Sequence, residues 1–285
     1  DFGGIKPTAA LMYECCQMLS MGITAGVGDQ LLPDGRLEQA GYDVIGQVYG
    51  HLEKCEPWVE GTTPENEIGV IVDAERLRVD PKLQINGDDF GPSGAGLIRA
   101  LQQLRHQFAL IDASAKLDDY RLIIIPEFTR IDAVLQRKIE AFRKKGGAVI
   151  CTADSIIDDH GEPLLKDLGF TVHGRSPYEH VYLRADRSMR DRLPNTDVVL
   201  YDRTWRIKAS DKSQTLGKVV EPYFARSYEH FCSHGQTPPA KLSRYAAALQ
   251  QGNTITMAFP IFYSYGRTAY TAYREMLAAC IDRLM

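Results

Sequence analysis

The chain has 285 residues, 44% of them hydrophobic and 25% charged, which suits a globular protein of one or two domains and excludes disordered and fibrous classes. Its 33 basic and 37 acidic residues are dispersed and leave a net charge of -4, so they offer no electrostatic footprint for nucleic acid or an anionic membrane. No apolar run approaches the roughly 18 residues of a membrane-spanning helix, and the first residues do not resemble a signal peptide. We therefore predict a cytoplasmic protein, and the abrupt start at Asp1 indicates a piece of a longer chain.

The six cysteines are predicted to be free thiols. They include neither a CxxC pair nor a cysteine and histidine cluster with the spacing of zinc ligands. We predict no metal and no cofactor.

The N-terminal part is predicted to form a helix, a strand and a second helix. A wide apolar stripe indicates the first helix at residues 5–21, and a short run of small residues indicates a strand at 23–27. Periodic apolar residues indicate the second helix at 38–55, which Pro57 ends. Three elements are too few for a core of their own, so this part reads as a fraction of a larger α/β layer.

A carboxylate and an amide, Asp29 and Gln30, follow the predicted strand directly. The carboxyl ends of strands face ligands in α/β folds, so this pair could bind a polar substrate such as a sugar. Capping of the following turn is the plain alternative. Both interpretations stay open.

A polar, turn-rich stretch at residues 61–66 is predicted to link this part to a second domain, which begins with a buried strand at 68–72. A long loop at 73–89 follows, and long loops often carry function. The glycine-rich residues 93–96 could suggest a phosphate cradle, but they match neither GxGxxG nor GxxxxGK[ST] and do not leave a strand directly. We expect them to open a helix that runs to Phe108.

The clearest element is a βαβ unit. An unbroken apolar run at residues 122–125 indicates a strand covered on both faces, an amphipathic pattern indicates a helix at 131–145, and 148–151 form a second buried strand. Gly146 and Gly147 allow the turn between helix and strand. The remaining predicted elements are a strand at 109–112, a short helix at 163–168, strands at 170–172, 180–183, 198–201 and 217–220, a hairpin at 245–249 and 254–259, and a closing helix at 267–285.

Cys151, at the end of a buried strand, is a candidate nucleophile, with His160, His180 or His234 as its base. A nucleophile elbow needs small residues two positions to either side of the nucleophile, and here those positions hold Val149 and Ala153. We therefore predict a buried, inert thiol.

An aromatic loop at residues 223–241 carries Ser233 and His234, with His230 nearby. These residues could form half of a hydrolytic triad or part of a sugar-binding loop. A loop histidine that bonds only backbone is the commoner case, and an adjacent serine and histidine rarely reach each other well. Large apolar residues at 223–231 and 259–263 exceed what one surface usually leaves exposed, which favours self-association.

Several segments resemble bacterial glycosidases. The tail of the catalytic barrel in proteins related to family 42 β-galactosidases and α-L-fucosidase-like barrels is similar to DFGGIK at 1–6, GITAGVGDQL at 22–31 and GRL at 35–37. The β-galactosidase trimerisation domain is similar to the stretch from Glu67 onward, with DDY at 118–120, GG at 146–147, FCSH at 231–234 and Pro238.

The resemblance implies an α/β protein. Residues 65–285 would form a flavodoxin-like parallel sheet with flanking helices, the fold of class I glutamine amidotransferases without their thiol chemistry. Residues 1–61 would be a helix-strand-helix remnant of a (β/α)8 barrel. The family's acid and nucleophile glutamates lie on the fourth and seventh barrel strands, and this chain, by the resemblance, starts at or after the seventh. No catalytic residue is therefore assigned.

The same resemblance implies a carbohydrate substrate bound through the parent barrel and a homo-oligomer, trimer or dimer. The residues assigned to the substrate side are Asp29, Gln30, Asp1, Lys6 and His234. The predicted function is that of the C-terminal portion of a glycoside hydrolase, serving oligomer assembly and active-site shielding. Two alternatives stay open: a free-standing amidotransferase-like thiol enzyme that uses Cys151, and a carbohydrate-binding module built on the loop at 223–241.

Overall fold

The computed structural model describes residues 3–73 and 91–285, so most of the predicted loop at 73–89 lies outside the described residues. The chain divides into two compact units, Asp1–Glu65 and Asn66–Met285. Within the described residues no helix is both long enough and apolar enough to cross a membrane.

The first unit consists of two packed helices, α1 (Thr8–Ser20) and α2 (Gln39–Val59). The strand predicted at 23–27 is wrong, because these residues form no ladder with any described residue. A strand exists only through hydrogen bonds to a neighbouring strand, and this unit holds only helices beside the segment. Pro57 does not end α2 either: it lies in the last turn, and the helix continues to Val59.

The described residues of the second unit form these helices and strands: β1 (Ile68–Ile71), α3 (Gly91–Gln103), β2 (Phe108–Ile111), β3 (Leu122–Ile125), α4 (Ala133–Lys144), β4 (Ala148–Thr152), α5 (Ala153–Ile156), β5 (Phe170–Arg175), β6 (Val181–Ala185), β7 (Asp197–Leu200), β8 (Trp205–Ala209), β9 (Gln214–Pro222), β10 (Pro239–Gln251), β11 (Thr254–Met257), α6 (Ile261–Thr268) and α7 (Thr271–Leu284).

These eleven strands form one mixed sheet, with the path β2-β1-β3-β4-β11-β10-β9-β6-β7 and β8 joining β10 to β5. The strands β2, β1, β3, β4 and β11 run parallel, whereas the pairs beyond β11 are antiparallel.

The predicted βαβ unit is confirmed. Every residue of β3 and β4 is buried, and the two strands are parallel, with Leu122 opposite Ala148. Asp132 begins α4 because its carboxylate accepts the backbone N–H groups of Val134 and Leu135 at 2.9 and 2.7 Å. Separate apolar clusters cover the two faces of the sheet, as the unbroken run of β3 requires.

The glycine-rich segment at 93–96 serves close packing between helices. A Cβ atom on Gly96 would overlap the carbonyl oxygen of Phe262 in α6, and one on Gly266 would overlap the carbonyl oxygen of Pro92. The two helices approach each other at backbone distance, so larger side chains at these two positions are excluded.

Three further predictions are corrected. Residues 163–168 form a β-bridge and bends rather than a helix, because the Leu164 N–H bonds to the carbonyl of Ile156 and Pro163 pairs with Ile157. The closing helix begins at Thr271 rather than at Arg267, because Arg267 belongs to the preceding helix and the chain turns between the two helices at Ala269, with a φ of 50°. The apolar run at 259–263 is mainly core, since Phe259, Ile261 and Phe262 are at most 1% exposed.

Candidate functional site

The first unit brings three of the predicted site residues together. Lys6, Asp29 and Gln30 line one cavity of about 730 Å³. Asp1 lies outside the described residues, and His234 belongs to the second unit, where it is exposed. The role of these residues stays a prediction.

The residues around Asp29 test the alternative role of its carboxylate, which is to cap the next turn instead of binding a ligand. The turn is closed by other groups: Leu32 N–H bonds to the carbonyl of Arg36, and Arg36 bonds to the Asp34 carboxylate at 2.7 Å. Within the described residues the Asp29 carboxylate accepts no hydrogen bond from this turn. Lys6, by contrast, is already paired with Glu14 at 2.6 Å.

The thiol of Cys151 is fully buried, as predicted. It lies 3.6 Å from the carbonyl oxygen of Ile255 and 3.5 Å from the Thr256 hydroxyl. Burial raises the pKa of Cys151 to about 11, because an apolar environment disfavours the thiolate. Only the thiolate is a nucleophile, so this group is not activated near neutral pH.

The structure also contains a cleft that the sequence analysis missed. It lies in the second unit just beyond the carboxyl ends of β3 and β4, has a volume of about 440 Å³, and is lined by Ser93, Glu127 and Asp154 among others. We call it the acidic cleft, since Asp158 and Asp159 also line it. Ligands of open α/β sheets bind outside the carboxyl ends of the strands, which is where this cleft lies.

Glu127 is the most deeply buried acid of the cleft, with 8% of the residue exposed. Its Oε1 accepts the backbone N–H of Tyr263 at 2.5 Å, whereas Oε2 has no hydrogen-bond partner among the described residues. Desolvation raises the pKa of Glu127 to about 7, and the neighbouring charge of Asp154 acts in the same direction.

Asp154 follows β4 and is held by two groups. Its Oδ1 pairs with the Arg175 guanidinium and accepts the indole N–H of Trp205 at 3.2 Å. The guanidinium itself lies 4.1 Å above the Trp205 ring, a cation–π geometry. Burial raises the pKa of Asp154 and Arg175 opposes that shift. Its Oδ2 has no partner within the described ranges.

A sequence signal for this cleft existed. Glu127 comes two residues after the buried run of β3, and Asp154 comes two residues after β4. Parallel neighbouring strands bring such positions to one edge of the sheet. The third group, Ser93, could not be predicted in this way, because it arrives on α3.

The predicted aromatic loop is shorter than expected, since β10 begins at Pro239. Its side chains point outward: Tyr223 is 70% exposed, and Tyr228 is fully exposed. Phe231 is 66% exposed and lies 4.9 Å below the Arg226 guanidinium. Ser233 and His234 are both exposed, and no hydrogen bond joins their side chains in the described part of the chain.

The class of the second unit follows from its mixed α/β sheet and from one family match. Residues 98–168 match the family model described as the β-galactosidase trimerisation domain. The resemblance to the trimerisation domain, read from the sequence, is thereby confirmed over this stretch. No curated protein matches the chain.

Solved structures give the particular proteins to which the chain is similar. The α-L-fucosidase isoenzyme 2 from Paenibacillus thiaminolyticus matches 100% of this chain at 26% identity and a TM-score of 0.88. The β-galactosidase from Rahnella sp. R3 matches 98% at 16% identity and a TM-score of 0.63, a likeness of fold. The chain spans 42% of the length of each of these two proteins. A family 42 β-galactosidase from G. stearothermophilus matches 93% at 15% identity and a TM-score of 0.59, again a likeness of fold.

Proposed function

We propose that this chain is part of a glycoside hydrolase that acts on α-L-fucosides, and that its second unit assembles the subunits of that enzyme. One observation carries the proposal: the likeness to an α-L-fucosidase extends over the whole chain at a TM-score of 0.88. The likeness to β-galactosidases is weaker in both identity and TM-score, so a β-galactoside is the second candidate substrate.

The first unit, in this proposal, is the end of a (β/α)8 barrel, and residues 1–61 belong to the catalytic domain. Residues 65–285 form the assembly domain, with a flavodoxin-like, amidotransferase-like sheet. The strand order 2-1-3-4 at the start of the parallel part supports this assignment, because flavodoxin-like sheets begin in that order. The burial of Cys151 supports an assembly role over thiol chemistry.

The substrate-binding part of the proposal rests on the cavity that Lys6, Asp29 and Gln30 line. A carboxylate accepts sugar hydroxyl groups and an amide both donates and accepts. The Lys6 ammonium is engaged by Glu14, which leaves Asp29 and Gln30 as the pair able to meet a sugar directly. The substrate-side roles of Asp1 and His234 stay predictions from the resemblance.

The assembly part of the proposal rests on the aromatic loop. Three large apolar residues, Tyr223, Tyr228 and Phe231, are at least 66% exposed on one segment. Aromatic residues are enriched at protein interfaces, and a second copy of this chain is the proposed occupant because the family model is that of a trimerisation domain. The proposed oligomer is a trimer, with a dimer as the alternative, and its assembly shields the active site.

Light scattering tests the assembly. One chain has a mass of 31.9 kDa, so a trimer should be near three times that value at micromolar concentration. The double variant Tyr228→Ser with Phe231→Ser should shift the mass toward that of one chain, while Leu110→Ser, another exposed apolar residue, should leave it unchanged. If the chain without substitutions is a monomer at this concentration, the proposal is contradicted.

Hydrolysis by the longer protein tests the substrate. Aryl α-L-fucoside should be cleaved in preference to aryl β-D-galactoside. Cleavage of the galactoside alone would replace the first candidate by the second, and cleavage of neither would contradict a hydrolase role.

A further inference from the structure

The acidic cleft carries an inference that is independent of the glycoside hydrolase proposal. Three of its polar atoms, Glu127 Oε2, Asp154 Oδ2 and Ser93 Oγ, are buried and make no hydrogen bond of good geometry with another described residue. The Ser93 hydroxyl lies near enough to Glu127 to oppose the rise in the pKa of Glu127 that burial causes, so these two groups face each other across the cleft. Ser93 is fully buried and Glu127 is 8% exposed. Leaving such groups without a partner costs about 1–3 kcal/mol each, so they are expected to meet a ligand.

The charge of the acidic cleft determines whether its ligand is a cation or an anion. Four carboxylates line it, those of Glu127, Asp154, Asp158 and Asp159, against one guanidinium, that of Arg175. The guanidinium is already paired with Asp154 and stacked on Trp205. An anion would meet uncompensated negative charge, whereas a cation would compensate it.

The hydrogen-bonding groups of the acidic cleft narrow the choice among cationic ligands. Both unpartnered carboxylate oxygens are acceptors, and an ammonium group has three donors and no acceptor. The volume of about 440 Å³ leaves room for a body the size of a monosaccharide beside the ammonium.

We propose that the acidic cleft binds a small primary amine, with its ammonium group held by Glu127, Asp154 and Ser93. Glu127 and Asp154 compensate the positive charge, and Ser93 accepts the third N–H. Arg175 keeps Asp154 in place through Oδ1 and leaves Oδ2 for the ligand. The site would take amino sugars or alkanolamines and would discriminate against the corresponding neutral alcohols.

Calorimetric titration of the full chain with matched pairs of probes tests this proposal. Glucosamine and glucose share one skeleton and differ in an ammonium against a hydroxyl group, and ethanolamine and ethylene glycol differ in the same way. We expect the amine of at least one pair to bind at least tenfold more tightly than its alcohol in buffer of physiological salt. Equal affinity within both pairs, or binding of neither amine, would overturn the proposal.

Two variants connect the binding to the named residues. Glu127→Gln and Asp154→Asn keep the shape of the side chains and remove one charge each, so each should weaken amine binding by tenfold or more. Glu179→Gln removes an exposed carboxylate outside the cleft and should leave amine binding unchanged. The circular dichroism spectrum verifies folding in each case. Unchanged binding in both cleft variants would refute the assignment.

The number of protons released on binding gives a second test of Glu127, because a purely structural role of this residue would not change that number. An ammonium should bind the ionised form of Glu127, so binding at pH 6.5 should release protons in the parent protein and release fewer in Glu127→Gln. The release is measured by repeating the titration in buffers of different ionisation enthalpy. Equal proton release in the two proteins would exclude Glu127 from the site.

Discussion

The buried carboxyl group of Glu127 should make the stability of the second unit depend on pH. Its pKa lies at about 7 in the folded protein and at the ordinary 4.5 when the group is exposed by unfolding. Below pH 4.5 the group is protonated in both states and its contribution to stability is fully present. Between pH 4.5 and pH 7 the carboxyl group is ionised in the unfolded chain but still protonated in the folded protein, so stability is lost as the pH rises to the folded pKa.

The size of the effect follows from the two pKa values. Each unit of pKa difference corresponds to about 1.4 kcal/mol, so the free energy of unfolding should fall by about 3 kcal/mol between pH 4.5 and pH 7 and then level off. Glu127→Gln removes the titrating group and keeps an oxygen that can accept the Tyr263 N–H. The free energy of unfolding of the unsubstituted chain, minus that of Glu127→Gln, should therefore decrease between pH 4.5 and pH 7.

Tryptophan fluorescence can follow the second unit alone. The chain has two tryptophans, of which Trp58 is 82% exposed in the first unit and Trp205 is 9% exposed in the second. In a Trp58→Phe background, urea unfolding of the parent and of Glu127→Gln would be measured from pH 4 to pH 8.5. Titration of Asp154 and of other groups largely cancels in the difference, because both proteins contain them.

A difference that stays flat with pH would refute the raised pKa of Glu127. A difference that rises with pH would show instead that a favourable partner depresses that pKa. The surface control Glu179→Gln, measured in the same background, should not reproduce the decrease.

Three further outcomes are expected. Cys151 should react with thiol probes only at the rate of unfolding near pH 7, because its pKa is raised to about 11; rapid labelling of the folded protein at this residue would contradict this. Gly96→Ala should lower stability by about 3 kcal/mol in thermal unfolding, through overlap with α6, while Gly235→Ala, in open space, should change it by less than about 0.5 kcal/mol. In the longer enzyme, Asp29→Asn should reduce kcat/KM at least about tenfold with an unchanged Tm; a lower Tm with activity per folded molecule preserved would make Asp29 structural.

The βαβ centre of the second unit could be predicted from the order of its residues alone. The run at residues 122–125 has no polar residue that could face solvent, so it predicts a strand buried on both faces, as observed. The spacing of the apolar residues in α4 allows only one buried face, and that face is the one that packs in the structure. The hairpin of β10 and β11 was predictable for a similar reason, because a short polar connection joins two apolar strands. The burial of Cys151 followed from the strand that contains it.

Features that depend on residues distant in the chain could not be predicted from local sequence patterns. Residues 23–27 have strand-like composition but no neighbouring strand in their unit, and a strand cannot be completed by its own residues. The acidic cleft shows the same dependence. Glu127, Asp154 and Ser93 come from three separate segments, and each alone is an ordinary polar residue near the end of an element. Their shared burial, which raises the pKa of Glu127 and leaves oxygens without partners, arises only when the sheet and α3 bring them to one edge.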